Sequence, residues 1–398
     1  MRMADILRKV RAKQESAQQD KDKSKDEKKP VSPQPKKEEE KKAAPPSLSP
    51  IVRAYRDDKS EQPKIKSEKT EALKPADGQS RSSKVVKYSY EESLKLYEET
   101  LIMLKQLLKE DIDYLSVDIN KINMQVEKIV EQMRLGNEHL LYFAFTRGFK
   151  EEDYLSYHSL NVCIYSMEIG IGLVYDKYKL HELGLLAVLH DLKMVDHKNL
   201  IKQPRKLTKE EFNKIKEHAR DGAELVEKMI KGYTKIKISA ITQHHERVDG
   251  TGYPNGLHGD EIDEYAKIIS LIDTFEAGIH PRTYRNAYLA SQALQEIINT
   301  KDKYEYRLIK ILIDRIGMFP VGCIVKLSSK EIAQVIKMNY DRPMTPVVQV
   351  LFLSSGRPLK ERRIIDLKKS PEVIIKRELN KEDVVKLQDK LLAKDEER

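Results

Sequence analysis

The run from His244 to Pro254 constrains this chain more than any other segment. It spells HHExxDGxGYP, so two adjacent histidines follow an apolar helical pattern and lead into a glycine-rich turn. Neighbouring residues of a helix point about 100° apart, so adjacent imidazoles cannot share one helix face. At a helix end they can instead face two metal ions, or opposite sides of one ion. Alone, such a pair would more often be surface or core filler.

A second ionisable doublet, His190–Asp191, ends the apolar run at 185–189. Such a doublet is costly to bury unless it is paired or binds a metal. Imidazole and carboxylate together suit iron, manganese or zinc, and a shared carboxylate suits a site with two metal ions. The sequence therefore predicts a metal centre, with these candidate ligands: His158, His190, Asp191, His218, His244, His245 and Asp273.

The order of these residues resembles the HD-GYP domain, the bacterial subgroup of the HD metal-dependent phosphohydrolases. Three more segments carry the resemblance: 203–212 is similar to the family's KPGKLTxEEF, GLHG follows the GYP turn, and DTFEA with the later RTYR is similar to DxFDA…RxYR. The match covers roughly 153–317. It implies an all-helical HD-superfamily domain that hydrolyses cyclic dimeric GMP (cyclic di-GMP) on a cluster of metal ions.

The resemblance also implies roles for single residues. Asp191 would bridge two divalent ions, for which iron or manganese is expected. One ion would be completed by His158, His190 and Asp273, and the other by His218, His244 and His245.

The resemblance further implies a substrate site and a partner site. Arg282 and Arg285 would bind substrate phosphate, because a guanidinium fork suits phosphate geometry. The turn of Gly252, Tyr253 and Pro254 would shape the rim of the site and could meet a partner protein.

Two positions depart from the family pattern. The family continues its doublet as HD-[IL]-G-K, whereas this chain has HDLKM. Either the glycine is deleted and Lys193 takes the place of the lysine, or Lys193 replaces the glycine and Met194 the lysine. The interval to Pro204 is about one residue short, which inclines us to the first alternative. Tyr154 stands where members with a third metal carry glutamate, so two metals are expected.

Three functions remain open. The first is an active cyclic di-GMP phosphodiesterase in which Asp191 and Lys193 are catalytic. The second is a catalytically weakened HD-GYP module that acts as a nucleotide-binding or protein-interaction effector. The third is an HD hydrolase for other nucleotides, which leaves the GYP turn and the two arginines unexplained. We favour the first.

Composition and periodicity divide the chain. Residues 1–85 mix both charges with Ser, Pro and Gln and have few large apolar residues, which predicts a disordered tail. Helical periodicities predict an N-terminal helical segment at 86–150 and the HD-GYP domain at 151–317. Runs at 323–327, 331–338, 346–353 and 373–376 predict a small β-rich subdomain at 318–378, followed by a charged tail at 379–398.

The segment 86–150 admits a sensory bundle, an oligomerisation hairpin that would make a homodimer, or helices that cover the catalytic core. We prefer the last. The formal net charge is +9, but positive and negative charges are interspersed and aromatic–basic interleaving is missing, so no specific nucleic acid is expected. Two cysteines and no apolar run of about 18–20 residues predict a cytoplasmic protein without a transmembrane segment.

A chain that begins at Val86 is predicted to keep its fold, metal and turnover. Residues 1 to about 85 lack the apolar side chains that would offset the entropy of ordering them. Circular dichroism, metal analysis and kinetics of the shortened chain test this expectation. A large loss of activity would mean that the tail closes over the site or holds an oligomer together.

Overall fold

The computed structural model describes residues 88–147, 153–203, 205–230, 238–280, 287–380 and 382–386. The predicted tail at 1–85, Pro204, Arg282, Arg285 and most of the predicted tail at 379–398 lie outside the described residues.

Within these ranges, eleven α-helices precede a five-stranded sheet. The helices are α1 (Tyr90–Leu107), α2 (Ile119–Arg134), α3 (His139–Thr146), α4 (Tyr154–Gly172), α5 (Lys177–Leu189), α6 (Lys198–Ile201), α7 (Lys209–Met229), α8 (Ser239–Gln243), α9 (Glu264–Ile279), α10 (Ala290–Asn299) and α11 (Tyr306–Ile316). The strands are β1 (Ile324–Leu327), β2 (Ile332–Lys337), β3 (Val347–Phe352), β4 (Pro358–Asp366) and β5 (Ile375–Leu379). The predicted fold class, mainly α with a small β-rich C-terminal part, is confirmed.

Helix α4 is the centre of the helical core. Sixteen of its residues are buried, among them Tyr154 and His158. Helix α5 packs closely on α4 because Gly184 has no side chain. A Cβ atom there would lie 2.1 Å from the Cε atom of Met167 and 3.1 Å from Cγ1 of Val126. The close approach brings the C-terminal end of α5, with His190, beside α4.

A reciprocal cap begins helix α7, which carries His218. The Thr208 Oγ1 atom accepts a hydrogen bond from the Glu211 N–H at 3.2 Å, and the Glu211 carboxylate accepts from the Thr208 N–H at 2.8 Å. Such a capping box satisfies two backbone donors that the first helical turn leaves open. Arg205 donates to both carboxylate oxygens of Glu211 at 2.7 and 2.8 Å, which ties the preceding loop to the same cap.

The sheet is antiparallel throughout, in the order β4-β3-β2-β1-β5. Strand β4 was not predicted, because it is an edge strand whose Glu361, Arg362 and Arg363 are exposed, so its sequence lacks an apolar run. The predicted boundary at 378 falls inside β5, which continues to the buried Leu379. Beyond it, two valines of a short helical turn, Val384 and Val385, are buried as well.

None of the helices in the described ranges combines the length and apolar character that crossing a membrane would require. Cys163 and Cys323 are buried free thiols.

The sheet is tied to the helical core by a buried carboxylate. Glu378 of β5 is 5% exposed and accepts hydrogen bonds from the backbone N–H groups of Ala290 at 3.0 Å and Ser291 at 2.9 Å. These are the first residues of α10, so a side chain of the last strand caps the helix that follows segment 281–286.

Replacing Glu378 by Ala is expected to lower the free energy of unfolding by about 1–3 kcal/mol, since two buried N–H groups lose their acceptor. Urea denaturation of the full chain measures the change. Glu372→Ala, at an exposed carboxylate of the same subdomain, is the control and should alter stability little. Equal stability of the two variants would contradict the cap.

Candidate metal centre

The structure brings all seven predicted ligands together. His158 lies on α4, His190 and Asp191 at the end of α5, His218 on α7, His244 and His245 at the end of α8, and Asp273 on α9. Their ligand atoms form two groups, in each of which the atoms lie within 4.8 Å of one another. One group contains Asp191, His218, His244 and His245, and the other contains His158, His190 and Asp273. Apart from Asp191, which the resemblance shares between the two ions, this grouping has the same members as the implied division.

Asp191 lies between the two groups. Its Oδ1 atom is 3.3 Å from Nε2 of His218 and 3.5 Å from Nε2 of His244. Its Oδ2 atom is 3.6 Å from Nε2 of His158 and 3.5 Å from Nε2 of His190. Each carboxylate oxygen therefore faces a different set of imidazoles, as a ligand shared by two ions requires.

Three of the histidines are oriented by the same local device. The Nδ1 atoms of His190, His218 and His244 lie 2.7, 2.5 and 2.5 Å from the backbone carbonyl oxygens three residues earlier. A carbonyl oxygen only accepts, so each Nδ1 carries the proton. Each Nε2 atom then presents its lone pair, which is the form of imidazole that binds a metal.

These lone pairs converge without hydrogen bonds to offset their repulsion. The Nε2 atoms of His218 and His244 lie 3.3 Å apart. The Nε2 atom of His190 and the Oδ1 atom of Asp191 are buried and make no hydrogen bond within the described chain. Buried acceptors without donors are costly, and a cation among them removes the cost. These imidazole nitrogens and carboxylate oxygens therefore fit divalent metal ions as ligands.

The pKa shifts of His190, His245 and Asp191 agree with this interpretation. Burial lowers the pKa of His190 to about 4, and burial together with His244 lowers the pKa of His245. Burial opposes the charge of His218 as well, but the neighbouring Asp191 outweighs it and raises its pKa. Burial opposes the negative charge of Asp191, but the neighbouring His190, His218 and His244 outweigh it and hold its pKa well below the usual range. Neutral imidazoles and ionised carboxylates are the forms that coordinate metals.

His158 is held differently, by side chains from two directions. Its Nδ1 atom lies 2.5 Å from Oε2 of Glu276, and its Nε2 atom lies 3.2 Å from Oδ1 of Asp273. The ring of Tyr154 stacks on the imidazole, with centroids 5.4 Å apart and planes 19° apart. Burial opposes the charge of His158, but the two carboxylates outweigh it and raise its pKa to about 10.

Glu276 was missed as a functional residue in the sequence. It is fully buried and three residues after Asp273 on α9, so both carboxylates lie on one helix face. The signal available was a carboxylate at this spacing within the segment DTFEA.

The GYP turn forms one wall of the site. The Tyr253 ring lies 4.6 Å from the His245 ring with 30° between their planes, and the Tyr253 N–H donates to the His245 carbonyl at 3.2 Å. The buried Glu246 carboxylate accepts from the backbone of Asn255 at 2.7 Å and Leu257 at 3.1 Å. A Cβ atom on Gly252 would lie 2.4 Å from the Glu246 Cα atom, so this turn requires glycine there.

Lys193 lies in the 3₁₀ turn Leu192–His197, directly after the HD doublet. Its ammonium pairs with the carboxylate of Asp196, and its side chain is 26% exposed. Met194 is half-buried, and its N–H donates to the Asp191 carbonyl at 2.9 Å.

Two regions of the chain match known domain families. Residues 179–308 match the HD domain, and residues 324–387 match the KOW domain associated with the HD domain. The second match covers the five-stranded sheet.

Several curated proteins are similar in sequence. Cyclic di-GMP phosphodiesterase PA4108 of Pseudomonas aeruginosa is 27% identical over 54% of this chain and 52% of its own length. Cyclic di-GMP phosphodiesterase PdeB of Borreliella burgdorferi is 25% identical over 58% of this chain and 62% of its own length. The response regulator RpfG of Xanthomonas campestris, also named a cyclic di-GMP phosphodiesterase, is 34% identical over 31% of this chain and 32% of its own length. The chain thus spans about half to three-fifths of the first two relatives.

Among solved structures, Bd1817, a HDG"Y"P protein from Bdellovibrio bacteriovorus, aligns with 60% of this chain and 74% of its own, at 21% identity and a TM-score of 0.47.

Four observations support an HD-GYP domain protein: the HD-domain match over residues 179–308, the histidine–aspartate cluster, the HHExxDGxGYP segment and the similarity to the named relatives.

Asp191→Ala is expected to abolish binding of both metal ions and any activity. Without the shared carboxylate, two nearby cations lose the anion that screens their repulsion. Elemental analysis of the purified variant measures the metal content, and circular dichroism checks the fold. Asp221→Ala, at a partly exposed carboxylate on α7, is the control. Full metal occupancy of the Asp191 variant would exclude a bridging role.

Proposed function

We propose that this protein is a metal-dependent phosphodiesterase that hydrolyses cyclic di-GMP. The observation that carries the proposal is the position of Asp191, whose two oxygens face two separate groups of imidazoles. The relatives named as cyclic di-GMP phosphodiesterases support the same activity. Other relatives are named 3'3'-cGAMP-specific phosphodiesterases, so cyclic dinucleotides as a class are the substrates to compare.

Two divalent ions, when bound, supply a hydroxide near neutral pH and neutralise charge on the phosphoryl oxygens. We assign the grouped residues as their ligands, and iron or manganese as the preferred metals, because imidazole and carboxylate donors occur without cysteine. The protein fixes the tautomers beforehand: carbonyl oxygens hold the Nδ1 protons of His190, His218 and His244.

Lys193 would act on the substrate phosphate. We propose that its ammonium exchanges Asp196 for a nonbridging or leaving oxygen when substrate binds, and so stabilises charge that grows in the transition state. Arg282 and Arg285 are proposed to bind phosphate, on the resemblance alone.

The exposed edge of the GYP turn is the place proposed for a protein partner, since Thr251 and Pro254 are exposed while Tyr253 faces His245. A cytoplasmic location and a homodimer stay predictions from the sequence.

The assay uses the full chain loaded with Mn²⁺ or Fe²⁺, with cyclic di-GMP and 3'3'-cGAMP as substrates and chromatography of the products. We expect the linear dinucleotide or GMP from cyclic di-GMP. Tight binding of cyclic di-GMP without product, at confirmed metal occupancy, would refute the proposal and favour a nucleotide-binding effector.

Lys193→Ala is expected to lower kcat roughly a hundredfold or more while metal content stays unchanged, because a preorganised positive group is lost. Kinetics and elemental analysis on the same preparation measure both. Lys202→Ala, at an exposed lysine after α6, is the control. An unchanged kcat for the Lys193 variant would show that Lys193 takes the place of the family's glycine.

A further inference from the structure

A series of buried hydrogen bonds leads from the metal centre to helix α1. Oε2 of Glu276 lies 2.5 Å from Nδ1 of His158, and Oε1 of Glu276 accepts from Nδ2 of Asn161 at 3.0 Å. The Tyr97 hydroxyl donates to Oδ1 of Asn161 at 2.9 Å. All four side chains belong to residues at most 1% exposed. We call this series the Tyr97–Glu276 relay.

We propose that Glu276 is a positioning residue of the metal centre, and that Asn161 and Tyr97 hold Glu276 in place, so that α1 contributes to metal affinity. The inference rests on the proposed metal site, but not on the identity of the substrate.

Glu276 is placed to fix both the rotation and the donor strength of the His158 ring. A carboxylate that accepts the Nδ1 proton orients an imidazole and makes its other nitrogen a better ligand. That nitrogen, Nε2, faces Asp273 at 3.2 Å and Asp191 at 3.6 Å. Glu276 therefore acts on the ion of the His158, His190 and Asp273 group, and through Asp191 it reaches the other group less directly.

An imidazole faces each oxygen of the Glu276 carboxylate. Nδ1 of His280 lies 2.9 Å from Oε1, and Nδ1 of His158 lies 2.5 Å from Oε2. An anion at this position strengthens the attraction of the nearby ligands for a cation.

The amide of Asn161 is oriented by Tyr97. A carboxylate only accepts, so Glu276 requires the Nδ2 side of the amide, and the Oδ1 side must then meet a donor. Tyr97 is that donor, and it comes from α1, 64 residues earlier in the chain. With the phenolic O–H removed, the buried Oδ1 atom loses its donor, and the orientation of the amide is less firmly set. Helix α1 thereby gains a role beyond covering the core.

The test compares three isosteric or near-isosteric variants of the full chain, titrated with Co²⁺ alone. Glu276→Gln keeps the shape but removes the charge, and Tyr97→Phe removes one hydroxyl of the relay. Tyr165→Phe is the matched control. Tyr165 is another fully buried tyrosine of the core, and its ring centroid lies 5.6 Å from that of Phe275. Its hydroxyl makes no hydrogen bond within the described residues. Competition with a chelator gives stepwise dissociation constants, and the Co²⁺ absorption spectrum reports ligand geometry.

We expect Glu276→Gln to weaken one of the two Co²⁺ sites by about 10- to 100-fold and to change its spectrum, as loss of a partner behind a ligating histidine does. Tyr97→Phe should weaken the same site by about 2- to 10-fold, the range of one hydrogen bond. Tyr165→Phe should leave both dissociation constants unchanged. Thermal denaturation establishes that each variant is folded.

Three results would overturn the inference: unchanged Co²⁺ affinities in Glu276→Gln, equal weakening of both sites in step with lost thermal stability, or identical behaviour of Tyr97→Phe and Tyr165→Phe. None of them depends on turnover. A protein that binds two Co²⁺ ions as expected but fails to cleave cyclic di-GMP would refute the proposed function and leave the relay intact.

Discussion

The cost of burying Asp191 together with the surrounding imidazoles is the physical constraint on which the helical core depends. Five helices or helix ends direct nitrogen or oxygen atoms at the same region, and acceptors there repel one another. A positive charge among these acceptors offsets their repulsion and stabilises the arrangement. Helices α5 and α8 end at His190 and His244, and both side chains lie in the common centre.

Two different means hold the histidines. His190, His218 and His244 use backbone carbonyls of their own helices, so their orientation follows from local structure and survives small movements between helices. His158 instead depends on Glu276, which lies 118 residues away on α9. Its orientation is therefore sensitive to how α4, α9 and α1 pack. The contrast lies within one metal group: His158 is set by tertiary contacts, whereas His190 of the same group is set by short-range geometry, like His218 and His244 of the other.

The sequence made the ligands predictable because their residue types are costly to bury and because their order matches a known pattern. The helical core followed from apolar periodicity in the same way. Strand β4 could not be predicted, since its charged residues at the sheet edge hide the alternation on which strand prediction depends. Glu276 could not be assigned, because its role arises from a contact with His158 that only the folded chain creates. Whether Lys193 corresponds to the family's lysine or to its glycine depends on a shift of one residue in the alignment. The spacing in the sequence leaves both alternatives open.

The glycine that names the GYP turn has a steric reason to be there. Gly252 lies against the backbone of Glu246, where any Cβ atom would collide, and Gly250 has a φ of +76° beside the ring of His258. Neither glycine has a side chain that could bind a metal or move a proton. The two glycines of the motif are thus required by the packing of the turn. The glycines therefore fix the shape of the turn, while the chemistry depends on other residues, the histidines and aspartates of the cluster.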